Sequence, residues 1–194
     1  MRPHLVSAPA ARLPRETVAR DWGQVALRFA DEAALGQLDA WRALVPVRRV
    51  RVPIAGNPEA LLETVGQGIR LDAEVGPDTA DRLSHVAPST WLPRGVTPWA
   101  VVRRGLGDAA LDVVKRAGAA AWPVQLEPTA EVLTGALPLL DLLDHYLFHP
   151  TLTAPVEPFH GLLSSLVSRR PATLWHHWFG VATDSFYVDD AGQV

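Results

Sequence analysis

Apolar and polar residues alternate one for one in several stretches of the first 150 residues, and each stretch leads into residues whose apolar positions recur every three or four. Val25, Leu27 and Phe29 alternate with Ala26, Arg28 and Ala30. Val50, Val52 and Ile54 alternate with Arg49, Arg51 and Pro53. Ile69, Leu71, Ala73 and Val75 alternate with Arg70, Asp72 and Glu74, and Trp122, Val124 and Leu126 with Pro123, Gln125 and Glu127. A period of two belongs to a β-strand, so strands are predicted over 24–29, 47–54, 69–75 and 122–126, with a short one over 89–92.

Helix signals fill the intervals. Asp31 is placed to cap a helix with Leu35, Leu38 and Trp41 on one face. Asn57 caps a second, with Pro58 at its first position, Leu61, Leu62 and Val65 turned inward, and Gly66 and Gly68 to stop it. A third starts near Pro77 and groups Ala80, Leu83 and Val86. Thr97-Pro98 opens a fourth, which 108–117 continues or restarts after Gly105 and Gly107, with Gly118 as its C-terminal cap. Thr129 caps a helical stretch reaching Phe148, broken near Pro138.

Strands alternating with helices imply parallel pairing through right-handed crossovers. A doubly wound sheet is covered on both faces and its strands are apolar throughout, whereas these are apolar on one face only. The predicted fold class is therefore α/β: a partial (β/α) barrel of about five to six parallel strands, with helices on the outer face and a C-terminal helix and hairpin appended. Its concave face would carry Arg28, Arg49, Arg51, Arg70, Asp72, Glu74, Gln125 and Glu127. Two readings of that face stay open. The charges face water and pair with one another, or they line a binding cavity.

Three segments follow from this pattern. Residues 1–20, with Pro3, Pro9 and Pro14, read as an irregular arm; 21–150 hold the partial barrel; 151–194 hold the appendage. There, Pro158 starts a helix reaching residue 170, with Phe159, Leu162, Leu163, Leu166 and Val167 as its apolar set. Residues 185–188 read as a strand and Asp190-Ala191-Gly192 as a hairpin turn. The chain ends where the second strand of that hairpin would begin, so the first strand's partner is expected elsewhere in the chain or in a continuation of it.

Composition narrows the function classes. With 194 residues, 48% of them apolar, the chain is long enough for one well-filled domain and a small appendage. A net charge of −3 with scattered basic residues argues against a nucleic-acid partner. No apolar run approaches the roughly 18–20 residues that span a bilayer, and the N-terminus lacks a charged-then-apolar signal pattern, so no membrane partner and a cytoplasmic location are expected. The chain has no cysteine. That removes disulfides, thiolate zinc sites and cysteine-ligated iron–sulfur clusters from its chemistry.

Few constellations suggest a reaction. His145 and His149 stand four apart, a spacing that puts two imidazoles on one metal, and His160 is a third candidate ligand. The zinc-protease form needs Glu directly after the first His, where Tyr146 stands, so the cluster is read as a solvated helix end and no metal site is assigned. Ser164, Ser165 and Ser168 lie in a helical pattern, not on a nucleophile elbow. No phosphate-binding loop is present.

A family resemblance comes from three segments. Ile54-Ala55-Gly56-Asn57-Pro58-Glu59 resembles the Gly-Gly-Glu-Pro segment that follows the second strand of radical SAM enzymes, with Asn57 in the place of the Glu that holds the amino group of S-adenosylmethionine. Phe186-Tyr187-Val188-Asp189-Asp190-Ala191-Gly192-Gln193-Val194 resembles the hairpin that opens a SPASM domain, and Val156-Glu157-Pro158-Phe159 is similar to the helix start that precedes it. The departures are as informative. The family's Cys-x-x-x-Cys-x-x-Cys loop lies between strand one and helix one, where this chain passes from Phe29 through Ala30 to Asp31. The resemblance therefore implies a cysteine-free, radical-SAM-like pseudo-enzyme with no cofactor, an accessory of peptide maturation systems.

On that reading the chain is a non-catalytic scaffold that binds a precursor peptide or a partner radical SAM maturase, with self-association left open. Its ligand-binding residues would be Arg49, Arg51, Arg70, Asp72, Glu74, Asn57 and Glu127. A first alternative is a barrel-type enzyme whose chemistry sits at the carboxyl ends of the strands, with Glu74 and Glu127 as acid or base and Arg94 as anion binder. A second is a metal-dependent hydrolase built on the histidines.

Overall fold

The computed structural model describes residues 6–9, 25–102, 109–127, 136–150, 152, 154–169 and 186–187. The fold is α/β. Eight strands form one sheet: β1 (Val6–Pro9), β2 (Val25–Arg28), β3 (Val47–Pro53), β4 (Arg70–Val75), β5 (Thr97–Val102), β6 (Val124–Leu126), β7 (Val156–Glu157) and β8 (Phe186–Tyr187). Every pairing is parallel, in the order β7-β6-β5-β4-β3-β2-β1-β8. Sequence neighbours are thus spatial neighbours except at one place, where the last strand lies against the first.

Among the described residues the helices are α1 (Leu38–Arg42), which prolongs a 3-10 turn at Ala33–Gln37, then α2 (Pro58–Val65), α3 (Ala109–Ala119), α4 (Ala136–Phe148) and α5 (Phe159–Ser168). Local chemistry sets their starts. Asp31 Oδ1 accepts the Ala34 N–H at 2.8 Å and opens the first helical segment, which buries Leu35, Leu38 and Trp41. Asn57 Oδ1 accepts the Glu59 N–H at 2.9 Å, Pro58 stands in the first turn, and Gly66 ends α2 at a φ of +66°. Leu61, Leu62 and Val65 are buried, as the spacing predicts.

The register sorts the strand residues into two faces. Leu27, Val50, Leu71 and Pro98 lie in one row across β2–β5, and Val52, Ala73, Ala100, Val124 and Val156 in another across β3–β7. These rows share one core cluster with Leu62, Val65, Val113, Val114 and Ala117 of the helices. The intervening rows carry the charged residues: Ala26, Arg49, Arg70 and Thr97, then Arg28, Arg51, Asp72 and Trp99, then Pro53, Glu74, Val101, Gln125 and Glu157. The alternation read from the sequence is thus a true division of the sheet.

Several expectations are corrected. Residues 89–92 form no strand: Pro88–Thr90 and Leu92–Arg94 are 3-10 turns, and the strand is β5, where Thr97-Pro98 was expected to open a helix. Thr-Pro imitates a helix start, but burial of Pro98, Ala100 and Val102 on one face, with Thr97 and Trp99 on the other, has a strand's period. The third segment is also 3-10, at Ala80–His85, although Ala80, Leu83 and Val86 are buried together as expected. Gly118 lies inside α3, pressed against Leu152, and caps nothing; the left-handed residue is Ala121, at a φ of 58°.

The termini differ as well. Val6–Pro9, expected to be irregular, pairs with β2, and Phe186–Tyr187, expected in a hairpin, pairs in parallel with β1. The turn predicted at 190–192 and the Gly105–Gly107 interruption lie outside the described residues. Leu166 and Val167, expected in the apolar contact of α5, are 74% and 86% exposed. Among the described residues no helix is long and apolar enough to cross a membrane.

Candidate functional site

The charged rows of the sheet bring together most of the predicted ligand-binding residues. Parallel register sets Arg49 opposite Arg70 and Arg51 opposite Asp72. Like charges side by side on neighbouring strands repel, and the side chains resolve this by sharing Asp72. Arg49 Nε donates to Asp72 Oδ2, and Arg70 Nε donates to Asp72 Oδ1 at 2.6 Å. The Arg70 guanidinium also lies 4.1 Å from the centre of the Trp99 ring, on the next strand. Arg70 Nη2 is buried with no hydrogen-bond partner among the described residues.

A second group stands nearer the carboxyl ends of the strands. Arg51 Nε donates to Glu74 Oε1 at 2.6 Å, and Arg51 Nη1 reaches Glu127 Oε1 at 2.7 Å. The two groups are mirror images in charge: two arginines on one carboxylate, then two carboxylates on one arginine. Asp72 is fully buried, and the side chains of Arg51, Glu74 and Glu127 are 19%, 14% and 14% exposed.

This pairing governs protonation. Burial alone would push the Asp72 carboxyl up, but Arg49 and Arg70 outweigh it and hold the group below its ordinary value. Burial works against the Arg51 charge too, yet Glu127 and Glu74 overcome it and raise that guanidinium above its usual range. For Arg70 burial prevails over Asp72, with Arg49 adding repulsion, and its value falls. Asp72 is thus held as the charged partner of Arg49 and Arg70.

The residues proposed for a barrel enzyme are not brought together. Glu74 and Glu127 meet at Arg51, but Arg94 lies in an exposed 3-10 turn ahead of β5, its guanidinium 4.6 Å from the centre of the Trp91 ring. Gly95 beside it accepts the Gly68 N–H that precedes β4. Arg94 therefore stands at the amino end of the sheet, opposite the end where parallel α/β sheets place their chemistry.

Asn57 is a helix cap, its Oδ1 taken by the Glu59 N–H. The loop before it holds a carboxylate of the chain itself. Glu32 Oε1, from the segment after β2, accepts the Ala55 N–H at 2.6 Å and the Gly56 N–H at 2.5 Å. A Cβ on residue 56 would stand 2.6 Å from Glu32 Oε2 and would oblige that carboxylate to shift. Arg82 Nη1 adds a hydrogen bond to the Gly56 carbonyl at 3.3 Å. In the segment that resembles an S-adenosylmethionine site, the Ala55 and Gly56 N–H groups and the Asn57 Oδ1 are thus occupied from within the chain.

The histidines diverge. His145 and His149 rings lie 4.3 Å apart and tilted by 44°, while His160 Nδ1 hydrogen-bonds the Tyr146 hydroxyl at 2.8 Å, joining α5 to α4. Burial first, then His149 and Lys115, hold His145 below its ordinary value. Among the described residues no three His, Cys, Asp or Glu side chains gather as a metal ion requires.

Three residues of the neighbourhood were not assigned to this face from the sequence. Trp99 was hidden by the Thr-Pro signal; the apolar run Trp99-Ala100-Val101-Val102, with its aromatic and β-branched residues, was the clue. Glu157 lies opposite Gln125 in a two-residue strand too short to show a period, and its Oε2 accepts the Gly161 N–H at 3.0 Å. Glu32 contacts residues more than twenty positions away, which no local pattern reveals. Comparison of the chain with protein-family models, with curated proteins and with solved structures finds no match.

Proposed function

We propose that this chain is a non-catalytic scaffold built on a partial (β/α) barrel. It would serve a peptide maturation system by binding a precursor peptide or a partner radical SAM maturase. The observation that carries the proposal is the closed charge pairing of the polar face, where Asp72 is shared by Arg49 and Arg70 and Arg51 holds both Glu74 and Glu127. Such a face offers fixed donors and acceptors to a peptide backbone and its polar side chains, without a carboxyl positioned for proton transfer.

Three further features support this reading. The strand order, with β8 on β1, is compatible with a barrel whose seam lies between β7 and β8. Only residues 29–32 separate β2 from the 3-10 turn at Ala33–Gln37, and the chain has no thiolate to hold a cluster. The loop after β3 is filled by Glu32.

The test is a binding measurement. The purified chain is titrated with the precursor peptide, and in parallel with the radical SAM maturase, of the system that encodes it. Saturable binding to either is expected, weakened by Arg51→Gln. The proposal fails if neither binds. It fails equally if the chain, reconstituted with iron and sulfide under reducing conditions, takes up a stoichiometric cluster and cleaves S-adenosylmethionine.

A further inference from the structure

The outward side of α4 does not have the character that its position demands. A helix with one side on a core is normally polar on the other. α4 buries Leu142 and packs Leu139, Leu143 and Tyr146 against the core, yet Leu140, Leu147 and Phe148 are 57%, 46% and 74% exposed. These residues are not scattered. Positions 140, 144, 147 and 148 follow one another at helical spacing and form a single stripe. With Asp141 and Leu143, they line an open groove of about 380 Å3. Exposed apolar residues gathered on one side of a helix, here with Asp144 between Leu140 and the Leu147–Phe148 pair, mark an interaction surface more often than isolated exposed leucines do.

The charge of the groove selects its occupant. Among the described residues Asp141 and Asp144 are the charged residues that line it, and both are exposed. We propose that the groove docks an amphipathic helix of another protein, with apolar residues spaced three and four apart and lysine or arginine beside them. The apolar face of such a helix would cover Leu140, Leu147 and Phe148, and its cations would reach Asp141 and Asp144 while their alkyl stems extended the apolar contact. A second copy of this chain is a poor occupant. A two-fold pairing of this face would bring four carboxylates together between molecules that each carry a net charge of −3. An anionic membrane surface is disfavoured for the same reason. The inference does not depend on the polar face of the sheet or on the scaffold reading.

The test uses the full chain and a fluorescein-labelled synthetic helix of about four turns, with leucines spaced three and four apart and flanking lysines. A second probe replaces every lysine by glutamate. Fluorescence anisotropy is expected to show saturable one-to-one binding of the lysine peptide, and binding of the glutamate peptide weaker by about tenfold or more. Phe148→Ser, and separately Leu140→Ser with Leu147→Ser, should each weaken the lysine peptide by about tenfold, with the far-ultraviolet circular dichroism unchanged because the side chains are exposed. Asp141→Asn with Asp144→Asn should erase the preference between the two peptides. Absence of saturable binding, equal binding of both peptides to the unaltered chain, or insensitivity to Phe148→Ser would overturn the proposal. So would sedimentation showing a dimer that Phe148→Ser dissociates, or flotation with phosphatidylserine vesicles that the same substitution abolishes.

Discussion

Asp72 shows how one side chain can organise a surface. Its carboxylate is fully buried and neutralises two arginines that parallel register sets side by side. Asp72→Asn would leave both guanidinium groups without their shared counter-charge, and removal of one partner from a buried ionic group costs about 3–5 kcal/mol. Urea unfolding should show a loss of this size. Asp81→Asn, which breaks the exposed pair with Arg116 (side chains 77% and 38% exposed), should leave the urea midpoint nearly unchanged. The pH dependence has a definite sign. The folded-state value of Asp72 lies below its unfolded value of about 4, so its contribution is fully present above about pH 4 and is lost as pH falls toward the lower folded value. Acid unfolding of Asp72→Asn should therefore show a shallower decline over that window than the unaltered chain.

At the scale of elements, single hydrogen bonds decide how segments without regular structure are fixed. The connection from β4 to β5 has no α-helix, only 3-10 turns. Trp122, leading into β6, anchors it: its buried indole N–H donates to the Leu83 and Val86 carbonyls at 3.1 and 2.8 Å. Trp122→Phe keeps most of the ring and removes the donor, taking one hydrogen bond from each carbonyl; Leu83 retains the Val86 N–H, whereas Val86 loses the indole. A loss of about 1–3 kcal/mol is expected, measured by thermal or urea unfolding. Asn57→Ala removes the cap of α2 and should cost about 1 kcal/mol. The same experiment bears on the role of Asn57, because a purely structural residue should lower stability without altering peptide binding once the protein is folded.

For the whole molecule, the sheet is strongest at its centre. β3 and β4 pair over five residues and β4 and β5 over six, whereas β7 and β8 contribute two residues each at the ends of the strand order. Native-state hydrogen exchange should follow this gradient. The amides of Val50, Val52, Leu71 and Ala73 should exchange slowest, at the rate of global unfolding, and those of Val156 and Glu157 markedly faster. Equal protection across the sheet would mean that the short end strands are held by more than their own ladder.

What the sequence determined by itself was local. The period of two in β2, β3, β4 and β6 gave the strands, their parallel order and the division into an apolar and a charged face, because side-chain direction in a strand is set by covalent geometry alone. The capping residues Asp31 and Asn57 were legible for the same reason, since each acts within three residues of itself. Strand β5 was missed where a local turn signal and the strand period disagreed, and the pairing of Thr97–Val102 with β4 and β6 decided between them. Strands β1 and β7 were illegible, and β8 was read as a strand over 185–188 without its partner β1, because segments this short carry little pattern of their own and pair with strands far away in the chain. The charged face was read correctly as a set of residues, but its partners were not. Register decided that Asp72 would serve Arg49 and Arg70, that Arg51 would hold Glu74 and Glu127, that Arg94 would stand at the other end of the sheet, and that Glu32 would fill the loop after β3. Charge at a position is a property of the residue. Which opposite charge answers it depends on how strands distant in sequence are aligned, and only the tertiary structure fixes that.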